Sequence, residues 1–286
     1  FAPPPTGPLH LGSLYAALAS FLHARVHQGQ WLLRIDDIDT PRVVIGADKS
    51  IFNTLKNHGL EWDGEVDYQS QHLSEYQNII DKLVKTKKVY PCFCSRKTLL
   101  AAPSPVYSGT CLHAPKQNLP YSLRVKSKQI STSFNDELQG YQDTDYVKQH
   151  GDFIIKRKDN ITAYQLAVVI DDQRNNITHI VRGYDLLDST PKQIFLQKTL
   201  GYRSPQYCHF PVIIDQYGEK LSKQKYAQAV TSESPQNTLF LLLELLRQKP
   251  PKILKTASIK EIINWGIEHW QTEPLKKIRA INKQIN

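Results

Sequence analysis

The sequence predicts an α/β protein built on a parallel sheet, with one insertion and a helical C-terminal region. Short apolar runs rich in β-branched residues alternate with stretches whose apolar residues recur at helical spacing, the rhythm of strand–helix–strand units. Between Tyr90 and Gly151 that rhythm fades while cysteine and proline enter, so residues 90–151 are expected to be an insertion. Residues 1–89 and 152–228 are then two halves of one α/β domain, and beyond Ala229 the pattern is helical, giving a C-terminal region over 229–286.

The chain opens on Phe1-Ala2-Pro3-Pro4-Pro5-Thr6-Gly7-Pro8-Leu9-His10-Leu11-Gly12-Ser13. Three prolines fix φ and forbid a helix, while Gly7 and Gly12 let the backbone approach a ligand. From Ser13 the pattern Leu14, Leu18, Phe21, Leu22, Ala24 predicts a helix with Gly29 as its stop. A helix N-terminus carries unpaired N–H groups and about half a positive charge, so this junction suits phosphate. Residues 31–36 read as a strand running into the polar loop 37–42. Ligands of parallel sheets collect at the carboxyl ends of strands, which brings Asp36 and Asp37 forward. Ile51 and Leu55 before Gly59 predict a second helix, and Leu73, Tyr76, Ile79, Ile80, Leu83 and Val84 a third.

Within the insertion, Tyr121-Ser122-Leu123-Arg124-Val125 reads as an edge strand. The α/β rhythm returns at Phe153-Ile154-Ile155 and over 167–172, followed by Ile180-Val181-Arg182 and a helix through Gln193, Leu196 and Leu200. The apolar run 210–214 then delivers the chain to Lys220-Leu221-Ser222-Lys223-Gln224, after Gly218. Two ammonium groups flanking a serine in a short polar loop suit the charge that develops as a phosphoryl bond breaks. The C-terminal region carries Leu239-Phe240-Leu241-Leu242-Leu243, an amphipathic stretch from Ile253 to Trp265, and a lysine-rich end.

Lys plus Arg is 36 against 27 for Asp plus Glu, a formal net charge of +9, which favours a polyanionic partner such as RNA. A basic enzyme without nucleic acid fits the charge as well. No run of ~18 apolar residues and no charged-then-apolar leader occurs, so a cytoplasmic enzyme that does not meet the membrane is expected. The 286 residues contain no methionine and begin at Phe1, so missing residues and some compressed spacings are expected.

Three of the four cysteines cluster as Cys92-Phe93-Cys94 and Cys111, with Tyr107 between them. Thiolates are soft ligands suited to tetrahedral zinc, and three of them leave one position for Tyr107 or His113. Cys208, between Tyr207 and His209, reads as a core residue.

The two terminal motifs together resemble class I aminoacyl-tRNA synthetases: His10-Leu11-Gly12-Ser13 is similar to the HIGH signature and Lys220-Leu221-Ser222-Lys223-Gln224 to KMSKS. The segment 163–172, Ile177-Thr178-His179-Ile180-Val181-Arg182-Gly183 and Asp185-Leu186-Leu187-Asp188-Ser189-Thr190-Pro191 resemble the glutamate and glutamine branch. Cys-x-Cys followed by Tyr-x-x-x-Cys is similar to the zinc pattern of the short glutamyl-Q tRNA(Asp) synthetase family, which implies Tyr107 rather than His113 as fourth ligand.

The resemblance spans about residues 1–228 and implies the class I Rossmann-like parallel sheet, ATP with Mg²⁺, and structural zinc on Cys92, Cys94, Tyr107 and Cys111. It implies ATP binding by His10, Gly12, Ser13, Lys220, Ser222 and Lys223, with His10 and Lys223 the catalytic pair. Glutamate recognition falls on Ala2, Pro4, Asp36, Tyr164 and Arg182. Physics agrees with these types: a guanidinium suits a carboxylate and an acid suits an ammonium. The family's arginine before the Phe-Ala-Pro segment lies outside the chain, its usual Glu is Asp36 here, and Pro4 replaces a common serine. The implied activity is tRNA-independent formation of glutamyl-adenylate and transfer of glutamate to queuosine at the wobble position of tRNA(Asp), by a monomer. The alternatives are a C-terminally truncated canonical glutamyl-tRNA synthetase and a non-catalytic, zinc-bearing RNA-binding module.

Overall fold

A computed structural model describes residues 1–102, 104, 106–115, 118–127, 130–143, 145, 149–219 and 234–282. Lys220, Ser222 and Lys223 lie outside these residues. Helix α1 (Leu11–Val26) starts two residues before the expected Ser13, because His10 caps it by accepting the Ser13 backbone N–H on Nδ1 at 3.1 Å. Its end differs from expectation too. Gln28 takes the left-handed conformation (φ 55°), and Gly29 closes the turn by donating its N–H to the Ala24 carbonyl at 2.8 Å. Leu14, Tyr15, Ala17, Leu18, Ala19, Phe21 and Leu22 are buried, so α1 is the spine of the larger core rather than a surface helix.

Strand β1 (Arg34–Ile35) is shorter than the expected 31–36. Arg34 and Asp36 donate their N–H groups to the Phe1 and Pro3 carbonyls at 2.9 and 3.1 Å, but the prolines have no N–H to return, so no regular ladder forms on that side. Helix α2 (Ala47–Asn57) stops at Gly59 as expected, with φ 70° and the Leu60 N–H on the Leu55 carbonyl. Strand β2 (Asp67–Tyr68) runs parallel to β1. Helix α3 (Leu73–Lys85) buries Tyr76, Ile80 and Leu83 and leaves Leu73 and Val84 exposed.

Then come β3 (Val89–Cys92), α4 (Arg96–Leu100), β4 (Ser122–Val125), β5 (Phe134–Asp136), β6 (Gly140–Gln142) and β7 (Ile154–Lys156). The expected edge strand at 121–125 is instead the centre of an antiparallel sheet in the order β3-β4-β7. All four residues of β4 are buried, and the charge of Arg124 is tolerated because its guanidinium donates to the Asp152 carbonyl at 2.7 Å.

Helix α5 (Tyr164–Arg174) holds the β-branched run Val168-Val169-Ile170; burial of every residue from 166 to 171 overrides strand propensity there. Strand β8 (His179–Gly183), helix α6 (Thr190–Leu200), and strands β9 (Gln206–Phe210) and β10 (Val212–Ile214) follow. Helices α7 (Pro235–Leu245) and α8 (Ile259–Glu268) precede β11 (Ala280–Asn282). A Ser258/Glu261 capping box opens α8, and Gly266 lets it approach α1 so closely that a Cβ would sit 3.1 Å from Leu22 Cδ2. The C-terminal helices therefore complete the core around α1.

The pairings β1–β2, β5–β9, β8–β9 and β10–β11 are parallel, but hydrogen bonding among the described residues divides the strands into four sheets. The largest, in the order β6-β5-β9-β8, is mixed, because β6 returns antiparallel on β5. The architecture is mixed α/β, and the single Rossmann-like parallel sheet expected from the sequence is not resolved as one ladder. Among the described residues no helix is long and apolar enough to cross a membrane.

Candidate active site

A cavity of about 1030 Å³ opens beside the first residues of the chain, the start of α1, the end of β1, the first turn of α5 and strand β8. Its size suits a nucleotide together with an amino acid. Along the proline segment burial alternates: Pro3 and Pro5 are buried, while Ala2 and Pro4 are exposed and line the cavity. Val44 donates its N–H to the Pro5 carbonyl at 2.9 Å, which pins the segment in place. His10, Gly12 and Ser13 line the cavity at the N-terminus of α1. The imidazole touches Ser13 twice, through the backbone N–H and through the hydroxyl at 3.0 Å from Nε2. A Cβ at position 12 would lie 3.3 Å from the same ring, so glycine is what lets the histidine fold over the helix end.

On one wall an acidic group surrounds a single arginine. Arg34 donates from Nε to Asp36 at 2.7 Å and from Nη1 to Asp172 at 2.9 Å, with Asp171 at 3.6 Å. Asp171 is fully buried and tied to Gln69, Tyr76 and Arg174. Burial raises the carboxyl groups of both Asp36 and Asp172, against the attraction of Arg34. Asp36 and Asp172 line the cavity with Arg34, so a cation there would meet two carboxylates held in place by one guanidinium. Asp37, expected beside Asp36, accepts from the Ser70 backbone and hydroxyl at 2.8 and 2.6 Å and does not line the cavity.

The other wall carries Arg182, on β8. Its Nε–H donates to His209 Nε2 at 3.0 Å and its Nη2 to Thr190 Oγ1 at 2.8 Å. His209 in turn bonds Asp136 through Nδ1 at 2.6 Å, so the proton sits on Nδ1 and the Nε2 lone pair faces the guanidinium. Burial lowers the imidazole below the usual histidine value, which keeps it neutral and able to accept. Burial raises the Asp136 carboxyl, but hydrogen bonds from His209 and the backbone outweigh this and hold it low. Tyr164, at the start of α5, stands 42% exposed on the cavity wall; burial of its phenol, against the pull of Arg182, raises it and keeps it neutral.

A second constellation lies away from the cavity. Tyr107 Oη is 3.5 Å from Cys92 Sγ and 3.7 Å from Cys94 Sγ, and Cys94 and Cys111 approach to 3.5 Å. A tetrahedral zinc with thiolate and oxygen ligands has edges of about 3.5–3.8 Å, so these spacings match such a site. Burial raises the Cys92 thiol, yet its interactions with Tyr107 and the Arg124 guanidinium bring it down to about 7, toward the thiolate form. His113, the rival fourth ligand, is exposed and outside this group. Arg124 stacks its guanidinium 3.8 Å over the Tyr107 ring, which fixes the phenol.

Eight residues singled out from the sequence, Ala2, Pro4, His10, Gly12, Ser13, Asp36, Tyr164 and Arg182, thus line one cavity. Sequence reasoning missed Arg34, Asp136, Thr190 and His209, and gave Asp172 no role. The only local signal was the i, i+2 pairing of Arg34 with Asp36 on an extended segment, which puts both side chains on one face.

The chain matches the family "tRNA synthetases class I (E and Q), catalytic domain" over residues 1–265. It is 45% identical over 276 residues to the glutamyl-Q tRNA(Asp) synthetase of Aromatoleum aromaticum, covering 94% of this chain and 87% of that one. It is 43% identical over 286 residues to the protein of the same name from Methylococcus capsulatus, covering 99% and 94%. Among solved structures it is similar to a glutamate tRNA ligase from Elizabethkingia meningosepticum (TM-score 0.77, 23% identity) and a glutamate–tRNA synthetase from Elizabethkingia anophelis (TM-score 0.79, 24% identity). The match covers 98% of this chain but 65% and 66% of those two, so the chain spans just under two thirds of their length. A family match across the cavity-forming residues, with relatives above 40% identity along nearly the whole length of both partners, makes the chain a member of the class I glutamate and glutamine tRNA synthetase family, in its glutamyl-Q tRNA(Asp) synthetase branch.

Proposed function

We propose that the chain activates L-glutamate with ATP in the absence of tRNA and transfers the glutamyl group to queuosine at the wobble position of tRNA(Asp). The observation that supports this most is the opposition of charge across one cavity: Arg182 on one wall, Asp36 and Asp172 on the other, beside the N-terminus of α1. Glutamate carries the matching groups, its side-chain carboxylate for Arg182 and its ammonium for Asp36, with the Tyr164 hydroxyl as a further partner. His10, Gly12 and Ser13 hold ATP at the helix end, joined by Lys220, Ser222 and Lys223, whose assignment rests on the sequence.

An α-carboxylate oxygen of glutamate attacks the α-phosphorus, the bond to the bridging oxygen of the β-phosphate breaks, and pyrophosphate leaves. Magnesium, brought in with ATP, would supply charge neutralisation for the phosphates. A hydroxyl of the queuosine diol then attacks the activated carbonyl carbon and AMP departs. The side chains orient the reactants and balance charge, Lys223 being assigned by its motif to the developing negative charge, and none forms a covalent bond. Zinc on Cys92, Cys94, Tyr107 and Cys111 is structural, since protein fills all four positions. The setting is the cytoplasm and the working form a monomer.

Glutamate-dependent ATP–pyrophosphate exchange, run with and without tRNA, tests the first step; loading of labelled glutamate onto tRNA(Asp) with and without queuosine tests the second. Exchange without tRNA and loading only of the modified tRNA are expected. Strict tRNA dependence with loading of unmodified tRNA(Glu) would restore the canonical synthetase, and no exchange at all would leave an RNA-binding module.

A further inference from the structure

Toward the C-terminal end of α1, where His23 lines the same cavity as Arg182, three potential metal ligands meet. His23 of α1, Glu137 just after β5 and Cys208 of β9 bring one donor atom each within 4.8 Å of the others. His23 Nε2 and Glu137 Oε2 are 3.4 Å apart. The His23 side chain is 3% exposed, and neither of its ring nitrogens has a hydrogen-bond partner. A buried imidazole left in this state is costly, and one of its orphaned nitrogens lies within 4.8 Å of both the carboxylate and the thiol.

We infer that His23, Glu137 and Cys208 form a second metal site, distinct from the Cys92/Cys94/Cys111 cluster, for a divalent ion of the zinc type. An imidazole nitrogen, a carboxylate oxygen and a thiolate are a donor set that zinc and cobalt accept in tetrahedral geometry and that calcium and magnesium do not favour. The tetrahedron has edges of about 3.3–3.8 Å; His23 and Glu137 already stand at such a spacing, so only the distances to Cys208, all within 4.8 Å, have to shorten as the ion binds. Cys208 gives up its proton as the ion binds.

Two more imidazoles lie beside His23. His27 lies with its ring 4.5 Å from that of His23, and His179 at 6.4 Å. His27 Nδ1 bonds the His23 carbonyl at 2.7 Å; since a carbonyl only accepts, Nδ1 carries a proton, which leaves Nε2 as the nitrogen that could coordinate. Bound there, the ion ties the C-terminal end of α1 to β9 and to the turn after β5, next to the Asp136–His209 pair.

The experiment is equilibrium dialysis of the full chain, stripped with chelator, against Co²⁺, with thiolate-to-cobalt absorption as the second readout. The wild type is expected to bind two equivalents. Cys94→Ser should lose one and keep the weaker, single-thiolate band of the other. Glu137→Gln, at a side chain 37% exposed and therefore safe for the fold, should weaken the second equivalent at least tenfold while the multi-thiolate band stays. Cys208→Ser should abolish the single-thiolate band. One equivalent in the wild type, lost with Cys94→Ser, overturns the site, as does retention of two full equivalents by both Glu137→Gln and Cys208→Ser. These readouts do not depend on acylation, so a failed exchange assay would leave them standing.

Discussion

Asp136→Asn tests whether a residue well removed from the cavity sets how Arg182 meets its ligand. In the native protein Asp136 accepts from His209 Nδ1–H at 2.6 Å, and its Oδ1 accepts the backbone N–H groups of Leu138 and Gln139 at 3.1 and 2.9 Å. The His209 backbone N–H adds contacts of 3.2 Å to both oxygens. An asparagine cannot serve all of these. With its oxygen toward the imidazole, the NH₂ group faces three backbone donors. With the amide flipped, NH₂ faces Nδ1, the ring proton moves to Nε2, and that proton collides with the Arg182 Nε–H. Either arrangement leaves buried donors unpaired at roughly 1–3 kcal/mol each. The expected outcome is a loss of about 3 kcal/mol in unfolding stability and a rise of about tenfold in the KM for glutamate, equivalent to about 1.4 kcal/mol, with the KM for ATP changed little. Denaturant melts and ATP–pyrophosphate exchange measure the two effects. A variant that loses stability yet keeps the wild-type KM for glutamate would refute the coupling of Asp136 through His209 to Arg182.

Tyr107→Phe should bind zinc at least tenfold more weakly while His113→Ala binds it normally, as read by competition with a metal chelator; the reverse pattern would make His113 the fourth ligand. Gly59→Ala should cost about 2–4 kcal/mol by thermal or denaturant melting, because φ is 70° and the new Cβ would lie 2.8 Å from Ile259 Cγ2. Burial lowers His58, countered only in part by the Thr54 carbonyl, so the folded state binds its proton later than the unfolded state does. Its contribution is therefore fully present above the unfolded value of about 6.5 and lost as pH falls through the folded one, and His58→Gln should show a smaller drop in Tm between pH 7 and pH 5 than the wild type. Lys223→Ala should slow exchange by roughly 10²–10³ with glutamate binding unchanged, and a full rate would remove Lys223 from the mechanism.

What was legible in the sequence was local. Proline and glycine marked the opening segment, helical spacing marked α1, α2 and α3, and the spacing of Cys92, Cys94 and Cys111 marked a cluster that could hold a metal. What was hidden depends on pairings that sequence spacing cannot display. Asp136 and His209 are 73 positions apart and meet only because β5 and β9 run side by side. Arg34 reaches Asp172 across 138 positions. Strand β4 read as an edge because its apolar run is short and polar residues surround it, and it became central because β7 arrives from beyond the insertion to cover its second side. Val168-Val169-Ile170 gave no strand because complete burial favours packing over propensity.

The alternation of side chains along β9 explains how Arg182 and the His23 cluster meet different faces of one strand yet are mechanically joined. Tyr207 and His209 point to one face, their rings stacked with centroids 6.1 Å apart, and both meet Arg182, which lies 5.6 Å over the Tyr207 ring. Phe210 turns to the other face, against Tyr15 of α1 at 5.5 Å, and Cys208 shares that core. A one-residue slip of β9 against β5 would exchange the two faces, burying the imidazole in the apolar core and presenting a thiol to the guanidinium. The register is fixed where Asp136 pairs with Tyr207, one residue before Glu137 reaches toward His23. An ion on Glu137 and Cys208 would hold that same register from the α1 side, so metal bound there would act on Arg182 by keeping His209 in line with it.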